Sequence, residues 1–306
     1  MTRTLRGVIA SLAVALTLTA CGGGGGGGDP LAGGTGGDGT ITVGSANFAE
    51  SSLLAEIYAQ ALEAKGLKVT RKFDIGAREV YYDQVVKGGL SVVPEYNGAL
   101  LATSVDKNSK AVTTEQINAE LKAKLPPQVE ILDSAAAEDK DSITVTKETS
   151  QRLGLTSLDQ LARHAGTMTL AAGSEFKTRQ QGAVGLEKVY GVRFKKIQSV
   201  DAGAQSTLVK LLKSGDIQAA NLYTTDPSIA AEGFVVLKDP KNLFASQNVT
   251  PLIHKSQVNA TARGALNAIS AKLTTQDLLD MMKRLTVDKA DQEQVAKDWL
   301  AKNGLA

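Results

Sequence analysis

Gly88-Gly-Leu-Ser-Val-Val-Pro-Glu-Tyr-Asn-Gly98 and Lys213-Ser-Gly-Asp-Ile-Gln-Ala-Ala-Asn-Leu-Tyr223-Thr-Thr-Asp226 follow one plan. In each, a glycine precedes a short apolar run that reads as a buried strand, and a tyrosine stands at the strand's exit. In the first copy the run is Leu90, Val92 and Val93. Pro94 has no N–H to donate, so it is expected to end the ladder and to leave Tyr96 on the loop beyond. Loops at the carboxyl ends of strands are where open α/β sheets bind ligands.

The likeness extends outward. A shift of 127 positions lays Gly88 on Gly215 and Tyr96 on Tyr223, and it places Asp74, Gly76 and Ala77 on Asp201, Gly203 and Ala204. The same shift lays Thr40-Ile-Thr-Val43 over Thr167-Met-Thr-Leu170, and one inserted residue then brings Phe48 opposite Phe176. Because the matches keep their order over most of a hundred residues, they predict two similar lobes rather than a solenoid of short repeats.

Composition agrees with such a body. The chain has 306 residues, 42% hydrophobic, 22% charged and 4% aromatic, the make-up of a soluble α/β protein of one large or two medium domains. From Cys21 onward, 32 basic residues balance 32 acidic ones with no Lys/Arg cluster, which argues against nucleic acid as a partner. A single cysteine permits no internal disulfide.

The amino terminus reads as an address. Arg3 and Arg6 precede an apolar run from Gly7 to Ala20, the layout of a secretory signal over residues 1–20. The run ends in Leu18-Thr19-Ala20-Cys21-Gly22, which resembles the bacterial lipobox. That resemblance implies cleavage before Cys21 and diacylglycerol on its sulfur, so the protein is expected outside the cytoplasm, anchored to the cell membrane. Residues 21–39 are glycine-rich, a flexible coil that would hold the body roughly 20–25 Å from its anchor.

The folded body begins at Thr40, and strands and helices alternate from there. Ile41 and Val43 mark a strand; Leu53, Leu54, Ile57, Tyr58, Ala61 and Leu62 recur at helical spacing; Gly66 stops that helix. A strand from Lys68 to Phe73 and a helix from Arg78 to Val86 lead to the opening stretch, and a helix from Thr113 to Lys124 ends at Pro126-Pro127. The expected boundaries are a first lobe over 40–140, a second over 141–250, and a return to the first over 251–306. Pro251 to His254 would be the returning strand. Thr274 would cap a later helix, and Trp299 would lie in the core on the last one. The fold class is therefore α/β, each lobe a mostly parallel sheet flanked by helices, with a hinge between them.

Material for catalysis is scarce. His164 and His254 are isolated and no residues have metal-ligand spacing, so neither an enzyme nor a metal or cofactor site is expected. What stands out is Phe48, Tyr96, Phe176 and Tyr223, four rings at strand exits in a chain poor in aromatics. Such rings facing a cleft attract a quaternary ammonium, at about 0.5–1 kcal/mol per exposed contact and about 2 when desolvated.

Several stretches carry a family resemblance. Gly44-Ser-Ala-Asn-Phe-Ala-Glu50, Pro94-Glu-Tyr-Asn-Gly98, Phe176 with Arg179, Tyr190-Gly191, Tyr223-Thr-Thr-Asp226 and Val295-Ala-Lys-Asp-Trp-Leu-Ala-Lys-Asn-Gly304 resemble the glycine betaine/carnitine/choline-binding proteins of osmoprotectant ABC importers. The resemblance runs from Thr40 to the carboxyl end. It implies a two-lobed periplasmic-binding-protein fold, type II-like, that closes on a small solute and docks on a membrane permease as a monomer. It also implies an aromatic cage for the trimethylammonium head, at Phe48, Tyr96, Phe176 and Tyr223. The chain departs from the pattern where Phe48 stands for a frequent tyrosine, Asn97 for a frequent threonine, and Val92 and Val93 for acidic and aromatic residues.

Four desolvated cage contacts total about 8 kcal/mol, close to a micromolar complex before ordering costs. A second anchor is therefore expected. Arg179 is the first candidate for a solute's carboxylate, with Arg78 and the N–H groups near Ser51 as others. Asn97 and Thr224, beside the two tyrosines, complete the candidate set. Two alternatives stay open: a different small cationic or aromatic solute, and a surface lipoprotein with no transport role.

Overall fold

The computed structural model describes residues 39–201 and 203–306; the signal segment, Cys21 and the linker up to residue 38 lie outside the described residues. The first part of the body comprises β1 (Ile41–Gly44), α1 (Ala49–Ala64), β2 (Val69–Lys72), α2 (Arg78–Val86), β3 (Val92–Tyr96), α3 (Asn97–Leu100), α4 (Thr114–Lys124) and β4 (Val129–Ile131). The middle holds β5 (Asp141–Val145), α5 (Lys147–Leu153), α6 (Leu158–Leu161), β6 (Thr169–Gly173), α7 (Ala183–Tyr190), β7 (Lys196–Val200), α8 (Gln205–Ser214), β8 (Ala219–Tyr223), α9 (Ser228–Ala231) and β9 (Val235–Val236). The chain closes with β10 (Val249–His254), α10 (Ala260–Ser270), α11 (Thr275–Thr286) and α12 (Gln292–Lys302).

The strands form two sheets of five, ordered β2-β1-β3-β10-β4 and β7-β6-β8-β5-β9. The orders match place for place. In each sheet the second strand of that order, β1 or β6, pairs in parallel with both of its neighbours. In each, one strand, β10 or β5, runs against both of its neighbours. Those two are the strands that arrive from the other half of the chain, so the repeat read from the sequence is a repeat of sheet topology. Tyr96 and Tyr223 each end the middle strand of their sheet.

Pro94 does not end its strand. β3 continues through it to Tyr96, and Pro94 stands directly opposite Pro251 of β10. The flanking backbone bonds, His254 N to Ser91 O and Asn97 N to Asn248 O, set the alternation and place the two prolines in a non-hydrogen-bonded pair. Neither needs an N–H toward the other, so the ladder tolerates both.

Where the chain crosses between sheets, its two passes run side by side. Ala135 N donates to Val249 O, Val249 N to Ala137 O, and Asp139 N to Gln247 O. This short antiparallel pair is the hinge. On the first sheet, Ile41, Val43, Val92 and Ile253 pack under α1, α10, α11 and α12, with Trp299 buried as expected. Val93, Leu252, Val129 and Ile131 face the other way, with Tyr81, Val85, Ile117 and Leu121. The second sheet is covered on both faces too, by separate clusters around Leu170 and Ala171. Thr113 and Thr274 make capping boxes at α4 and α11, fixing those starts against fraying.

Candidate functional site

Three of the four rings meet between the lobes. Phe48 is the residue just before α1, at the exit of β1, and its centroid lies 6.1 Å from that of Tyr96 and 5.4 Å from that of Tyr223, with the planes tilted by 31° and 37°. Tyr223 belongs to the second lobe and the other two to the first, so the lobes are shut on one another. Gly203 of the second lobe shows how tightly: a Cβ there would come 2.5 Å from the backbone oxygen of Asn47. A glycine is needed at that approach.

The rings border a hollow also lined by Arg78, Arg179, Asp139, Asp141 and Glu175. Both arginines are already engaged. Arg78 gives Nε and Nη2 to the Glu95 carboxylate at 2.9–3.0 Å, and Tyr81 donates its hydroxyl to the same group at 2.8 Å. Burial works against the Arg78 charge, but Glu95 outweighs it and keeps the guanidinium protonated. Arg179 reaches across the cleft to Glu79 of α2, at 3.2 and 3.0 Å. Burial would raise Glu79, but the Arg179 bond and charge hold it below its usual range.

Beneath the rings lies a second set of acids. Glu50, in the first turn of α1, accepts from the Tyr96 hydroxyl at 2.6 Å and from Thr225 Oγ1 of the second lobe at 2.7 Å. Burial pushes the Glu50 carboxyl up against those bonds. Asp139, in the hinge, is raised well above the usual range by burial and by the charge of Glu50. Two carboxyls so placed hold a proton between them more readily than two negative charges. Asp141 starts β5 directly across from Tyr223. Burial raises it, opposed by the Asn221 amide at 3.1 Å and by the more distant arginines.

The other candidates fall elsewhere. Phe176 is packed into the core of the second lobe and borders a smaller recess beside Tyr223, not the main hollow. Asn97 is fully buried; its Oδ1 accepts from the backbone N–H groups of Gly98 and Asn248, and its Nδ2 donates to Asn118. It ties β3 to β10. Thr224 accepts from Lys140 N–H and donates to Asp139, which fastens the hinge. The sequence reading missed Glu50, Asp139, Asp141, Glu175, Glu79 and Glu95. Only Glu50 and Glu95 had a signal, since each lies in a stretch that carries the family resemblance, Gly44 to Glu50 and Pro94 to Gly98.

Two alike lobes that shut aromatic rings and charged groups around a hollow at the strand exits define a solute-binding protein of the periplasmic-binding-protein fold. The chain belongs to the family described as the substrate binding domain of ABC-type glycine betaine transport systems, matched over residues 39–302. Members of this family are transport components rather than enzymes. They bind small solutes outside the cytoplasm and deliver them to ABC permeases. Among relatives, the glycine betaine-binding protein YehZ of Escherichia coli (strain K12) is 28% identical over 276 residues, covering 86% of this chain and 90% of its own length. The ergothioneine transport permease/ergothioneine binding protein EgtU of Helicobacter pylori (strain G27) is 24% identical over 271 residues, 87% of this chain and 48% of its own length. In fold, the chain is similar to the crystal structure of a glycine betaine/carnitine/choline ABC transporter, with a TM-score of 0.67 and 20% identity, covering 87% of this chain and 99% of that one.

Proposed function

We propose that this chain captures a quaternary-ammonium solute of the glycine betaine, choline or carnitine type between its lobes and hands it to a membrane permease. It does so as a monomer, tethered through lipid on Cys21. The observation that carries the reading is the meeting of Phe48, Tyr96 and Tyr223 from both lobes. With centroids 5.4 and 6.1 Å from the central ring, all three can lie within about 6 Å of one ammonium, the range over which a ring attracts a cation. A cation there touches both lobes, so its binding energy favours the shut form over the open one.

Titration calorimetry with glycine betaine, choline and carnitine is expected to find at least one that binds. Tyr223→Ala and Tyr96→Ala are each expected to weaken it by about tenfold or more, one desolvated ring contact being worth about 2 kcal/mol. No heat from any of the three with folded protein, or unchanged affinity in both variants, would overturn the reading.

A further inference from the structure

We infer that the cleft selects a net cation bearing a hydroxyl and no carboxylate, a choline-like solute, over a zwitterion such as glycine betaine, and that Asp141 sets this choice. The inference rests on the quaternary-ammonium reading above and adds the charge of the rest of the solute.

A zwitterion's carboxylate is held most strongly by a free cationic group, and both arginines among the described residues lining the hollow are already paired. Arg78 and Arg179 each give two nitrogens to a glutamate, Glu95 and Glu79. Displacing either glutamate would leave its carboxylate without its partner, the Glu95 case inside the core. The start of α1 has no side-chain cap, a feature that attracts anions, but Glu50 in its first turn already brings a carboxylate there.

Acceptors, by contrast, are left over. Asp141 and Tyr223 are cross-strand partners, so their side chains leave the same face of the sheet side by side. Asp141 is met by the neutral amides of Asn221 and Gln247 and joins no salt bridge among the described residues, the two arginines acting on it only from a distance. An ammonium over the Tyr223 ring therefore stands beside a carboxyl group that no cationic side chain contacts among the described residues. On the opposite wall Asn47 borders the same hollow, and its side-chain oxygen is buried without a hydrogen-bond partner. A buried acceptor without a donor is destabilising, and a solute hydroxyl supplies the donor. The acids do not form a metal site: no group of three or more His, Cys, Asp or Glu among the described residues could hold an ion.

The test is calorimetry of the wild-type protein with choline, glycine betaine and ethyltrimethylammonium, which lacks the hydroxyl. Choline is expected to bind at least about tenfold more tightly than glycine betaine, and several-fold more tightly than the hydroxyl-free cation. Asp141→Asn, with melting followed in parallel, is expected to weaken choline by about tenfold and glycine betaine by much less, so that the ratio collapses. Glycine betaine binding as tightly as choline would overturn the charge selection while leaving the cage reading intact. Equal losses for both solutes in Asp141→Asn would remove Asp141 from the role. Equal affinity for choline and ethyltrimethylammonium would remove the hydroxyl. Binding of none of the three would overturn the cage reading and this inference together.

Discussion

The two strand exits facing the cleft share a topology and differ in how they settle their charge. At the first, Glu95 precedes Tyr96 and is fully buried, and its carboxylate is taken up by Arg78, by the Tyr81 hydroxyl and by the Tyr96 backbone N–H. At the second, Leu222 precedes Tyr223, and the nearby carboxylate, Asp141 on the neighbouring strand, has an amide as its hydrogen-bond donor. The first lobe is a finished scaffold. The second brings a carboxyl group that no cationic side chain contacts, among the described residues, when the lobes shut. A repeat can thus keep its backbone plan while assigning rigidity to one copy and selectivity to the other.

The largest effect should come from unsettling the finished side. Glu95→Gln leaves the Arg78 guanidinium buried without its counter-charge, a loss of about 3–5 kcal/mol, which lowers the melting temperature by roughly 10 °C in a body of this size. Asp141→Asn, which removes a charge that burial already disfavours, should move it by no more than about 2 °C. Calorimetric melting of both variants compares them directly. Similar losses would mean that the two exits are electrostatically alike and that the contrast is false.

The seam between the exits titrates with a definite sign. Glu50 is bonded to Tyr96 of one lobe and Thr225 of the other, and Asp139 lies close behind, held by Thr224 and Thr225. Burial raises both carboxyls, so the folded protein holds protons more tightly than the unfolded chain. Their contribution to stability is therefore fully present below the ordinary carboxylate range near about 4, and it is lost as pH rises through their elevated folded values. Melting across a pH series should show that decline, and Glu50→Gln, which cannot ionise, should flatten it. A decline just as steep in Glu50→Gln would place its origin elsewhere.

How much of this could be read beforehand depends on the range of the interaction. Phe48, Tyr96 and Tyr223 were legible because each occupies a fixed place in a repeated local pattern, at the end of a strand or the start of a helix. The order of elements followed from the alternation of strands and helices. Pro94 misled, because its tolerance depends on Pro251, which is remote in sequence and opposite it only in the antiparallel ladder. Asp141 was invisible for the same reason: one acid among 32, it gains meaning only from the non-local pairing that puts it across from Tyr223. Asn97 stood beside a cage ring in sequence, yet its side chain turns inward to serve the backbone of β10. Phe176 matched Phe48 in the repeat, but the short turn Ser174–Lys177 aims it into the core.

The smallest effect separates two roles for Arg179. If it clasps the lobes through Glu79, it is a partly exposed ion pair, its side chains 20% and 49% accessible, and worth about 0.2–1 kcal/mol. Arg179→Ala should then weaken every solute alike, by no more than about fivefold, and the loss should shrink as salt screens the pair. If instead Arg179 gives up Glu79 to take a solute's carboxylate, the same variant should spare choline and penalise glycine betaine by tenfold or more. Affinities of both solutes for Arg179→Ala at low and high salt distinguish the two. A uniform, salt-sensitive loss keeps the second lobe's selectivity with Asp141, and a loss confined to glycine betaine transfers it to the arginine.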